Sequence, residues 1–143
     1  MAKTRRKLQV FLSHSSRDDW IARHLAVAVE ARGATTFLDH SAIEAGDDFD
    51  AKILTAAAAS QELLILLTPW SLQRPYLWME LGLFWKTPKR IVCIYHGFTA
   101  QEIAAHDGIP VLLKRGHLLS LNESDQYLKE LADRVRSWSA GNG

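Results

Sequence analysis

Cysteine is almost missing from this chain. Cys93 stands alone inside the apolar run IVCIY, so no internal disulfide can form, and its neighbours point to a buried strand thiol. Long hydrophobic runs are missing too. No stretch approaches the roughly 20 apolar residues of a membrane span. The first apolar cluster, LQVFL, is too short for the core of a secretion signal. A cytoplasmic location without membrane contact is the expectation. Nor is there a surplus of one charge: 17 Lys and Arg face 16 Asp and Glu. Bulk electrostatic attraction to nucleic acid or anionic lipid is thereby removed, and no direct nucleic-acid partner is expected. Only residues 1–7, MAKTRRK, are locally basic, and they read as a solvated or strand-flanking segment.

What is present is an alternation of strands and helices. LQVFL is followed by SHSSRDD, in which Ser15 and Ser16 can cap a helix, with Asp18 and Asp19 at the capping-box position. Ile21, Leu25, Ala28 and Val29 then recur at helical spacing until Gly33. TTFLD (35–39) reads as a strand, and a polar stretch leads into a helix facing inward with Phe49, Ile53, Leu54 and Ala57. ELLILLT (62–68) is a buried strand closed by Pro69. A helix starts at Pro75 and stops before Pro88. RIVCIYHG gives a fourth strand, TAQEIAAH a short helix, IPVLLK a fifth strand, and LNESDQYLKELADRVRSW an amphipathic last helix.

Five alternations with continuous apolar strands predict an α/β fold, a flavodoxin-like doubly wound parallel sheet of five strands in order 2-1-3-4-5 flanked by helices. No linker or repeat interrupts it, so residues 1–143 form one domain, with its core at about 8–136 and a flexible tail at 139–143.

Ligands of open parallel sheets bind at the carboxyl ends of the strands. That rule selects Ser13-His14-Ser15, Asp39, Thr68-Pro69-Trp70 and His96-Gly97. GxGxxG, GxxxxGK[ST] and GxSxG are all absent, which argues against a dinucleotide cofactor site, a P-loop and a hydrolase elbow. SHS and TPW replace the acids a phosphoacceptor receiver needs. The six histidines lack HExxH or paired-ligand spacing, so no metal is expected. One anion site remains, the backbone N–H groups of Ser15 to Asp18 with Arg17 beside them, and ordinary capping explains the same residues.

Glu80 poses a sharper question. It is the one carboxylate in SLQRPYLWMELGLFW, and its helical neighbours are Tyr76, Leu77, Leu83 and Phe84. A salt bridge to Arg74 or Lys89 would make it structural. An acid desolvated among aromatics is otherwise a site candidate. The helix is also apolar all round, so its outer side calls for another element or another chain.

Together these stretches resemble the Toll/interleukin-1 receptor (TIR) domain family. VFLSHSSRDD is similar to its first box, FLDHSAIEAGDDF to the second strand and following loop, and ELLILLTPWSLQRPYLWMEL to the segment bearing the glutamate of NAD-cleaving members. The resemblance spans residues 8–136. It implies Glu80 as the catalytic residue, Tyr76 in place of a tryptophan common at that position, and Phe49 near an aromatic that holds substrate. It also implies Ser13, His14, Ser15 and Arg17 on the floor near the phosphates, with Trp70 at the same edge. IEAGDD stands where receptor members carry RDxxPG, which turns the resemblance towards bacterial NAD-cleaving members.

The activity so implied is cleavage of the nicotinamide–ribose bond of NAD+, by hydrolysis to ADP-ribose or by cyclisation. NAD+ is then substrate rather than cofactor. A developing ribosyl cation beside a carboxylate makes chemical sense of Glu80. Asp39, Asp47 and Asp48 are the candidates for a second, water-activating acid. The implied setting is bacterial immune (antiphage) or cell-death signalling, with activation by homo-oligomerisation and a separate sensor or effector protein. Two other readings stand beside it. One is a TIR interaction module without catalysis, and the other a nucleoside deoxyribosyltransferase-like enzyme.

Overall fold

Side chains alternate across each strand, and that alternation sorts the core into two halves. The structure, a computed structural model, describes residues 6–38, 49–73, 75–87, 89–110, 113–114 and 118–142, without the side chains of residues 49, 50, 75, 76, 79 and 142. The strands are β1 (Gln9–Ser13), β2 (Thr35–Leu38), β3 (Glu62–Leu67), β4 (Arg90–Tyr95) and β5 (Leu118–Ser120). They form one sheet in order β2-β1-β3-β4-β5, every pair parallel, as the apolar alternation predicts. The helices are α1 (Asp19–Glu30), α2 (Phe49–Ala59), α3 (Pro75–Lys86), α4 (Ala100–Ala105) and α5 (Ser124–Asn142).

On one face Val10, Leu12, Leu64, Leu66, Val92 and Ile94 meet Leu25 and Val29 of α1 and Leu128, Leu131 and Val135 of α5. On the other, Phe11, Leu63, Ile65, Leu67 and Cys93 meet Ile53 of α2, Leu77, Leu81 and Phe84 of α3 and Ile103 of α4. β3 is buried along its whole length because it is central and covered on both sides. Gly33, at φ +96°, closes the turn after α1. A Cβ there would stand 3.1 Å from Val135 Cγ1, so the glycine also lets α5 approach.

Two boundaries differ from expectation. The fifth strand is not IPVLLK but the three residues Leu118–Ser120. Pro110 has no N–H for a ladder and instead starts a turn, its carbonyl accepting from Leu113 N at 3.0 Å and Lys114 N at 3.3 Å. Ile109 and Leu113 still bury themselves, as core residues outside the sheet. The last helix also continues to Asn142, where a tail was expected.

Cys93 is buried in β4, and burial pushes its thiol pKa from 9.0 up to about 12. In the unfolded chain the thiol ionises first, so between these values the unfolded state binds fewer protons and stability falls as pH rises. The stability difference between wild type and Cys93→Ala should therefore shrink by ~1.4 kcal/mol per pH unit above pH 9, read by urea unfolding. A constant difference from pH 8 to 10 would refute this.

Candidate active site at the carboxyl edge of the sheet

β1 ends at Ser13 and His14 follows it, both with no exposed surface. The chain then turns through Ser16–Asp18 into α1. Ser15 Oγ accepts from Arg17 N at 3.2 Å, and Ser15 O accepts from Asp18 N at 2.9 Å. Two of the N–H groups offered by the sequence to an anion are thus engaged within the turn. The turn is also more acidic than its capping role suggested. Asp19 pairs with Arg23 at 3.0 Å and lies 3.6 Å from His14 Nε2. Asp18 leaves the cap and reaches across to β3, where its Oδ2 accepts from Thr68 Oγ1 at 2.5 Å.

At the end of β3 a short strap carries the chain to α3. Thr68 N donates to Ser71 Oγ at 2.8 Å, Ser71 Oγ donates to Thr68 O at 3.0 Å, and Ser71 N donates to Thr68 Oγ1 at 3.2 Å. Ser71 has no exposed surface. The spacing Thr-x-x-Ser after an apolar strand is the sequence signal for this turn. Trp70 stays 44% exposed at the rim, and the Arg17 guanidinium covers its ring at 4.7 Å from the centroid. Beside them Gly97 ends the β4 segment at φ +84°, where a Cβ would come within 3.0 Å of Pro69 Cδ. His96 N donates to Leu67 O at 2.9 Å, which holds the two strand ends together.

Glu80 lies five residues into α3, about 7.5 Å along the helix from its start at the strap. It has no exposed surface, and Leu77, Leu81 and Phe84 around it are equally deep in the core. Of the cations expected as salt-bridge partners, Lys89 directs its Nζ to the carbonyls of Ala57 (2.8 Å) and Ala58 (3.2 Å), capping α2. Desolvation, then the Arg6 charge, lowers the Lys89 pKa. Arg74 lies outside the described residues, as do Asp39, Asp47 and Asp48 and the side chains of Phe49 and Tyr76. The backbone places Phe49 at the first position of α2 and Tyr76 at the second of α3. Ser13, His14, Ser15, Arg17 and Trp70 therefore share the carboxyl edge, and Glu80 stands on the helix that descends from it.

A second buried acid escaped sequence reading. Glu62, 2% exposed at the amino end of β3, accepts from Arg134 Nε at 2.5 Å and Arg134 Nη2 at 3.0 Å, with Tyr127 Oη donating at 3.4 Å. Burial opposes the Arg134 charge, yet the Glu62 hydrogen bond and charge hold its pKa above the ordinary arginine value. Burial first, and then the Glu62 charge, raises the Tyr127 pKa. Tyr127 and Arg134 lie seven residues apart on one side of α5, a spacing that could have revealed them. Two clefts bounded by described residues, of about 280 and 440 Å³, border this amino edge and not the carboxyl edge. Arg134 lines both, and its guanidinium is already committed to Glu62. Among the described residues no cluster fit for a metal ion occurs, and no helix is long and apolar enough to cross a membrane.

The fold and this edge define a doubly wound α/β domain with an acid buried on the helix that follows the end of β3. Residues 10–134 match the family described as TIR domain, and the chain belongs to that family. The TIR domain of a Toll-related receptor from Hydra magnipapillata superposes with a TM-score of 0.68 at 18% identity, covering 89% of this chain and 97% of that one. A metazoan TIR-STING receptor from C. gigas gives a TM-score of 0.62 at 17% identity, covering 88% of this chain and 39% of the larger protein. A 2-desoxiribosyltransferase from Leishmania mexicana gives 0.64 at 13% identity, covering 86% and 97%. At these identities the likeness is one of fold. No curated protein matches the sequence.

Proposed function

We propose that this TIR domain cleaves the nicotinamide–ribose bond of NAD+, with Glu80 as the catalytic carboxylate. The observation that carries the reading is the complete burial of Glu80 on a helix of leucines and aromatics that follows the strap at the end of β3. Desolvating a carboxylate is costly, and a chain that keeps one there has a use for its charge. Loss of neutral nicotinamide leaves a ribosyl cation, which a fixed carboxylate in a dry setting stabilises far better than water does. Arg17 and the exposed ring of Trp70 offer a positive charge and a stacking face at the rim, suited to diphosphate and a flat base. The same fold in a deoxyribosyltransferase supports ribosyl chemistry as a class. Water would capture the cation to give ADP-ribose, and an internal nucleophile would give a cyclic product. The setting that fits is bacterial immune or cell-death signalling.

Assembly with further copies belongs to the proposal. On α3, Trp85 is 64% exposed with Trp78 and Leu83 half-buried, and Leu54 of α2 is 51% exposed. These are apolar groups in need of cover. Turnover per molecule should rise with protein concentration in wild type, and Trp85→Asp should flatten that rise and reduce self-association in sedimentation. A variant that associates and turns over like wild type would remove Trp85 from the interface. The primary test is NAD+ consumption with product chromatography for wild type and Glu80→Gln, at dilute and crowded concentrations. Equal turnover by both would refute the assignment. Self-association with no turnover in either would favour the interaction module.

A further inference from the structure

We infer that Asp18 is a positioning residue, which sets the strap before α3 through Thr68 and thereby where Glu80 stands. The inference rests on the reading of Glu80 as the catalytic acid. Asp18 is 7% exposed, Thr68 2% and Ser71 not at all, so the three form one dry network. The Thr68 hydroxyl has a single proton, and it goes to Asp18 Oδ2 at 2.5 Å. That choice leaves the oxygen lone pairs of Thr68 to face Ser71 N–H, which donates at 3.2 Å. The carboxylate therefore fixes the orientation of the hydroxyl, and the hydroxyl fixes the first turn of the strap.

From that turn the chain has a short path to the reacting acid. Ser71–Gln73 is a tight turn, and α3 begins at Pro75. A helix hung on a locked turn moves as a body when the turn shifts, and an acid one or two turns along it is displaced with it. The same two loops are tied once more at the rim by Arg17 over Trp70. Both ties run between the β1 and β3 exits. Catalysis is sensitive to such placement, because misalignment of a stabilising charge weakens it only in the transition state.

The test compares Asp18→Asn, Thr68→Val, Thr68→Ser and the Asp18→Asn/Thr68→Val double variant, assayed well below their melting temperatures. Thr68→Val and Asp18→Asn should each lower kcat for NAD+ cleavage at least tenfold with KM changed less than threefold. Thr68→Ser should restore wild-type kcat, and the double variant should be no worse than the poorer single. Amide hydrogen exchange at Ser71–Gln73 and along α3 should quicken in Thr68→Val and Asp18→Asn but not in Thr68→Ser. Unchanged kcat in folded Thr68→Val, or losses that multiply in the double variant, would overturn the inference. Wild type without turnover would remove the reading of Glu80 alone. The exchange arm would then decide the coupling by itself, with unaltered protection in Thr68→Val counting against it.

Discussion

Glu80→Gln should lower NAD+ turnover by at least about a hundredfold, the usual loss when one fixed electrostatic stabiliser of a transition state is removed. Glutamine keeps the length and shape of the side chain, so substrate binding and the packing of Leu77, Leu81 and Phe84 around it should survive. The loss belongs in kcat, because NAD+ itself carries no ribosyl cation for the acid to favour. Urea unfolding should stay cooperative in Glu80→Gln, because the amide preserves the shape and volume of the side chain within this packing. A variant that loses activity together with cooperative unfolding would identify Glu80 as a structural acid. Retained activity would refute its catalytic role outright.

The largest stability effect should come from the opposite edge. Arg134→Met strips the guanidinium from Glu62 and leaves a carboxylate that is 2% exposed without its bidentate partner. Breaking a buried pair on one side costs roughly 3–5 kcal/mol. In a domain of this size that corresponds to a fall of about 10–20 °C in melting temperature. Replacing both members, Glu62→Met with Arg134→Met, should recover much of the loss, since no uncompensated charge remains and the side-chain volumes are similar. Differential scanning calorimetry of the three variants reads this directly. Additive losses in the double variant would show that the packing of the two side chains matters more than their charges.

How far the sequence reaches follows from the range of each interaction. The parallel, doubly covered sheet was legible because Val10, Leu12, Leu64 and Leu66 against Phe11, Leu63 and Ile65 make β1 and β3 apolar on both faces. The site edge was legible because topology alone selects strand ends. IPVLLK misled because an apolar run can serve the core without joining the ladder, and Pro110 decided against the ladder. Asp18 misled differently. Its local chemistry is that of a cap, and its actual partner is 50 residues away. Glu62 meets Arg134 across 72 residues. Periodicity reports what a side chain faces, not which group it finds there.

That last separation has a consequence for the chain as it is made. A ribosome delivers β3 long before Arg134, so during synthesis the central strand carries an acid whose counter-charge does not yet exist. The part of the sheet face which α5 covers, beyond the part already met by α1, stays uncovered for the same interval. The first half of the molecule therefore cannot settle into its final form as it emerges. Completion of the fold waits until α5 is available to cover it.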